Sequence, residues 1–180
     1  VRPMVAELLG LSRSPRALRF LERVLWETRP GAPWEHAVSV ALARPGDDAL
    51  HARLVAWMDA PDEPARIHWV AYTLVRMGRP EGAEALRRAC HAGRLSARDV
   101  GIRLAAMRVP WTQAMAWAET SEVDRALVLE MVITLGGGYS LKEQPAELPG
   151  WLGKLLDNPP RPLTSFERHR VEDLLRRVST

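Results

Sequence analysis

The sequence predicts an all-α fold, a right-handed α-α superhelix of about five antiparallel helix pairs. Three observations predict it. The first is an ungapped 32-residue repeat: the stretch from His36 to Gly46 lies over that from His68 to Gly78, and the register continues with Leu54 on Leu86 and Met58 on Cys90. A period of this length is what stacked helix pairs produce, because each pair has one apolar face too many to stand alone. The second is helical spacing: Ile67, Val70, Ala71, Leu74 and Val75 follow i, i+3, i+4, i+7, i+8, a buried stripe. The third is the absence of sustained period-two alternation, with aromatic residues at only 6%.

Taken along the chain, 3–9 and Pro15–Glu27 form the first pair, with Leu18, Leu21, Val24 and Leu25 inward and Arg29-Pro30-Gly31 as the break. Pro33–Ala43 is the next helix and Pro45-Gly46 its turn. Asp48–Ala60 then turns Leu50, Leu54, Trp57 and Met58 to the core. Ala65–Met77 starts at a capping Asp62 with Pro64 in the first turn, and it ends at Gly78, which can take the left-handed conformation. Glu81–Ala92 adds Ala85, Leu86, Ala89 and Cys90 before Gly93 stops it. Ser96 to Asp99 carries a capping signal for a helix to about Met107, and Pro110 starts a short one through Trp111–Glu119. Ser121–Leu135 stops at Gly136-Gly137-Gly138, Tyr139–Glu147 reads as a loop, and Leu148–Leu156 is a short helix. After a Pro-rich spacer, Thr164-Ser165-Phe166-Glu167 has the capping-box form and opens a last helix carrying Phe166, Val171, Leu174, Leu175 and Val178.

Within 62–93, Asp62, Arg66, Ala71, Leu74, Met77-Gly78, Pro80-Glu81 and Leu86 stand as they do in HEAT-like repeats, and this unit resembles the short bacterial kind also found in phycobilisome-lyase-type proteins. Residues 33–60 match fairly, so the resemblance covers about a third of the chain, and the rest matches in helix spacing. It implies a single α-solenoid domain over 1–180 with a concave binding surface lined by the second helices. It implies no chemistry, because such repeats mostly serve scaffolds and adaptors. The short helix after Pro110 and the long loop after Gly138 predict irregular packing over 139–180.

Composition narrows the class further. At 47% hydrophobic residues, the chain can bury a core, and its apolar runs are too short and too often broken by Arg or Glu to span a bilayer. The start lacks the features of a secretory signal, so the cytoplasm is the expected compartment. Cys90 stands alone and completes a helix face, which predicts a buried free thiol. Of 25 cations only Lys142 and Lys154 are lysines, Asn158 is the sole asparagine, and Gln113 and Gln144 are the only glutamines. That bias suits a GC-rich or heat-adapted source.

No residue cluster spells out a reaction, and no catalytic, cofactor-binding or metal-ligating residue is assigned. His36 and His68 share a repeat position, but equivalent residues on neighbouring helices lie about 10 Å apart. That is too far for one zinc with ligands at roughly 2 Å. Asp47, Asp48 and His51 are explained by capping at a helix start. Gly136-Gly137-Gly138 follows a helix instead of preceding one, unlike a phosphate loop. Trp57, Trp69, Trp117 and Trp151 fall on or beside core stripes, whereas Trp26, Trp34 and Trp111 fall near helix ends, where partial exposure is expected. A helix-turn-helix over Leu95–Glu119 fails because Pro110 would sit inside its recognition helix, at a cost of about 3 kcal/mol.

The function expected is therefore a non-catalytic scaffold or adaptor that binds another protein. The surface assigned to the partner is the second-helix row: Arg53, Glu84, Arg87, Arg88, His91 and Gln113, with Trp117 at the edge. The alternative is a nucleic-acid binder using arginine stripes: Arg16, Arg19 and Arg23 on one face, and Arg87, Arg88, Arg94, Arg98, Arg103 and Arg108 further on. Interleaved Glu22, Glu81 and Glu84 favour solvated ion-pair faces over that alternative.

Overall fold

Apolar spacing decides which segments coil, and short polar side chains set where several of them start. The computed structural model describes residues 3–12, 14–27, 35–43, 47–136 and 144–179. Among these the fold is all-α. It comprises α1 (Pro3–Ser12), α2 (Pro15–Glu27), α3 (Glu35–Ala43), α4 (Asp48–Asp59), α5 (Ile67–Met77), α6 (Pro80–His91), α7 (Ala97–Met107), α8 (Trp111–Ala118), α9 (Glu122–Leu135), α10 (Leu148–Asp157) and α11 (Ser165–Val178). The turns expected at Arg29-Pro30-Gly31 and Pro45-Gly46, the Trp34 position, and Gly137 to residue 143 of the glycine-rich stop and loop lie outside the described residues.

Side-chain caps set several of the starts. Asp47 accepts the Leu50 amide at 2.7 Å and Ser96 the Asp99 amide at 3.0 Å, while Thr164 and Glu167 form a reciprocal capping box. Gly78 ends α5 with φ of 68°, a left-handed conformation that costs a side-chain-bearing residue roughly 1–2 kcal/mol. One start differs from expectation. Asp62 does not cap α5; it accepts the Trp57 indole N–H at 2.6 Å, and a 3-10 turn at Pro64–Arg66 precedes the helix. A half-buried indole needs an acceptor, and Asp62 supplies it.

The chain divides into two compact units, Val1–Ala89 and Cys90–Thr180. In unit one the first helices of successive pairs pack in order, α1 on α3 and α3 on α5, with α2 against α1 and α3 and α4 against α5. Leu54, Met58, Leu74 and Leu86 are fully buried, each worth roughly 1.5–3 kcal/mol of transfer free energy. The repeat register therefore maps core onto core. In unit two, α7, α8 and α11 all pack against α9, and α10 packs against α11. Leu127, Val128, Leu129, Met131 and Val132 are buried on every side of α9, as expected of a central helix that is apolar all round. Gly101 lets α7 approach it: a Cβ there would lie 2.7 Å from the Leu127 carbonyl oxygen and 2.8 Å from the Met131 nitrogen.

Three expectations about single residues are corrected. Trp111 is buried at the start of α8, a helix that packs against α9. Trp57 is half-buried beside Trp26, at a ring separation of 5.5 Å, rather than inside the core. Phe166 is exposed, its ring covered on one face by the Arg170 guanidinium at 4.8 Å.

Candidate partner-binding surface

Three of the charged residues assigned to the second-helix row are engaged by acids that lie outside it. Glu22 on α2 takes both Nε and Nη2 of Arg53 on α4, at 2.8 and 2.7 Å. Asp59 on α4 takes Nε and Nη2 of Arg88 on α6, both at 2.9 Å, which holds the Arg88 pKa above its usual value. Two-pronged contacts of this kind fix orientation as well as charge. In unit two, His91 Nε2 lies 2.9 Å from Asp124 Oδ1. These partners are separated by 31, 29 and 33 residues, close to the 32-residue repeat. Each bond thus joins one repeat to the next, a ladder with one rung per unit of sequence.

The remaining members of the set are also accounted for. Glu84 and Arg87 pair within α6 at 3.4 Å, and Gln113 is half-buried with an interaction of its own. Trp117 is only 5% exposed and offers little surface. Arg53 and Arg88 keep about half of their side-chain surface, so each rung contributes about 0–1 kcal/mol.

Asp124 is the most constrained polar group in unit two. Its side chain is fully buried, with the hydroxyls of Thr120 and Ser121 each 2.7 Å from Oδ2, while its amide donates to Ser121 Oγ at 3.1 Å. A carboxylate at the third position of α9 also answers the positive end of the helix dipole. Burial, followed by the nearby Asp124 charge, raises the Cys90 thiol pKa, which leaves an inert thiol as expected.

The other groups considered from sequence are placed as follows. His36 is exposed and rests on Tyr72 and Trp69, with ring separations of 5.0 and 6.3 Å, and His68 is exposed too. No group of three metal-ligating side chains occurs among the described residues. Asp48 lies 2.6 Å from Arg79. His51 is buried, and burial, followed by the Arg79 charge, lowers its pKa below 6.5. Several stripe arginines face acids: Arg23 with Glu27, and Arg103 with Asp99. No helix among the described residues is long and apolar enough to cross a membrane.

A further cluster joins α9, the spacer and α11. Arg161 binds Glu130 and Glu167 together, which holds the Glu167 carboxyl at about 2, well below 4.5. Both depressed values have the same sign for stability, because the unfolded chain takes up the proton first as pH falls. The His51 contribution is present above pH 6.5 and drains below it, while that of Glu167 is present above pH 4.5 and is lost as pH falls through about 2. Glu167→Gln is therefore expected to flatten the stability loss between pH 4.5 and 2 without moving the limb that begins at 6.5. Unfolding midpoints recorded against pH check this, and an unchanged acid limb would contradict it.

Sequence reasoning missed two surfaces. On α1, Met4 is 69% exposed and Leu8 and Leu11 are each 60% exposed, with Val5 beside them. The spacing i, i+4, i+7 puts them on one side, while Ala6 and Gly10 face inward and a Cβ on Gly10 would lie 2.8 Å from that of Ala41. Glu7 is the sole charge on this helix. The signal was available, since α1 is apolar around most of its circumference, whereas a helix with only one buried face should be polar on the other. The second surface is a groove of about 760 Å³ in unit two, between the α8–α9 turn and α10, with Trp151 and Leu155 among its lining. No protein-family model matches the chain, and no curated protein or solved structure is significantly similar to it.

Proposed function

We propose that this chain is a non-catalytic, HEAT-like interaction module, a superhelical scaffold that binds a partner protein. The observation that carries the reading is the outward face of α1. Half of the eight large hydrophobic side chains exposed among the described residues lie on this one ten-residue helix. Contiguous exposed apolar side chains mark interfaces, whereas scattered ones need no explanation. The in-order packing of α1, α3 and α5, and the rungs between α2, α4 and α6, support the superhelical part of the reading. The rungs also move the expected contact away from the second-helix row, because Arg53 and Arg88 already have carboxylate partners. Acids facing the stripe residues Arg23, Arg87, Arg88 and Arg103 disfavour the nucleic-acid alternative, since a paired arginine must give up its acid before it meets a phosphate.

The test compares two variants in quantitative affinity capture from cells that make the protein. Leu8→Glu with Leu11→Glu changes only exposed side chains, so stability should move by no more than about 0.5 kcal/mol. Partner recovery should fall at least tenfold in this variant and stay within twofold in Arg88→Ala. Equal recovery by the α1 variant would overturn the reading. Salt-sensitive retention of nucleic acid in place of protein would select the alternative.

A further inference from the structure

The groove of unit two gathers carboxylates that no cation answers. Several others in that unit, those of Asp99, Asp124, Glu130, Glu167 and Asp173, each face an arginine or a histidine. Glu119 and Asp157 line the groove, and neither has an ion-pair partner among the described residues. The groove's own cations do not answer them. Arg125 donates to the Asn158 carbonyl and lies 3.9 Å from Glu122, so that pair cancels, and Lys154 is left against two carboxylates.

Helix geometry adds to the negative potential. Both α8 and α10 end at the groove, at Ala118 and Asp157, and the C-terminal end of a helix carries roughly half a negative charge. The N-terminus of α9 also opens there, but its positive end is already met by Ser121 and by the buried Asp124. Trp151 contributes a half-buried indole, the best ring for holding a cation over its face.

We infer that this groove docks an arginine-bearing segment of a partner polypeptide, with the guanidinium against Trp151 and its N–H groups directed to Glu119 and Asp157. Arginine fits better than lysine, because a planar guanidinium both stacks on an aromatic face and pairs in two-pronged fashion with carboxylates. A polypeptide fits better than a small free cation: the volume falls within the roughly 300–1,000 Å³ of ligand sites and exceeds a single side chain. This inference does not depend on the α1 surface, and different substitutions test the two.

The experiment is fluorescence anisotropy on the full chain. One labelled heptapeptide carries two arginines separated by a glycine, and a second carries citrulline in their place, which keeps the shape and removes the charge. The arginine peptide should saturate, and the citrulline peptide should bind at least tenfold more weakly. Glu119→Gln with Asp157→Asn alters exposed side chains only and should weaken the arginine peptide at least tenfold, as should Trp151→Ala, while Trp151→Phe should retain most binding. Should Trp151→Ala unfold, the paired carboxylate variant decides. Equal binding of both peptides, binding indifferent to the carboxylate variant, or no saturation below about 1 mM would each overturn the inference. So would self-association of the chain that this variant abolishes, because the occupant would then be a second copy.

Discussion

Replacing Gly101 with alanine is expected to destabilise the protein by about 2 kcal/mol, although helix propensity alone favours alanine by about 1 kcal/mol. The two effects have opposite signs, so the outcome decides between them. Gly101 lies within α7, where the added methyl would meet the Leu127 carbonyl at 2.7 Å, the Met131 nitrogen at 2.8 Å, and the Glu130 Cβ nearer still. Two of these are atoms of the α9 backbone, which cannot swing aside as a side chain could. The helices must part, and the loss spreads to Leu104, Leu127 and Met131, all buried along the same seam. Urea unfolding of the variant measures the change. A stabilised variant would mean that the seam is looser than this geometry requires.

The second large effect is expected at Asp124. Asp124→Ala should cost about 3 kcal/mol, because it removes a fully buried carboxylate and leaves the Ser121 hydroxyl and His91 Nε2 without their acceptor, while the Thr120 hydroxyl keeps only the Trp117 carbonyl. It also removes one of the two negative charges in the first turn of α9, leaving Glu122. Asp124→Asn keeps the shape and an acceptor oxygen and should cost about 1 kcal/mol. The ratio between the two variants in denaturant unfolding separates loss of hydrogen bonding from loss of volume. Equal costs would contradict the network described here.

Much of the fold was legible because the governing chemistry is local. The Asp47, Ser96 and Thr164 caps act over three residues, and Gly78 acts on its own backbone, so the helix boundaries follow from short words of sequence. The repeat extended this to packing: Leu54 over Leu86 and Met58 over Cys90 are all buried. Asp62 misled because its partner, the Trp57 indole, competes with the cap and lies on the preceding helix. Trp111 misled because closeness to a helix start says nothing about which way that start faces.

The binding surface was less legible, for the same reason in reverse. Arg53 and Arg88 read as open charges because Glu22 and Asp59 stand about one repeat upstream. The repeat spacing contained that pairing, but only folded geometry sets which side chains reach across. The groove was invisible because it joins the α8–α9 turn to the end of α10, two segments that share no motif. By contrast, α1 could have been read from its composition, since a helix with one charge in ten residues keeps an apolar face in water.

The central claim is that α1 binds the partner while Arg53 and Arg88 of the charged row are already taken by acids of neighbouring helices. Amide hydrogen exchange with and without the captured partner tests it most directly. The account predicts new protection within residues 3–12 and unchanged exchange in the segments carrying Arg53 and Arg88. Protection confined to 48–59 and 80–91, with α1 still exchanging freely, would contradict it.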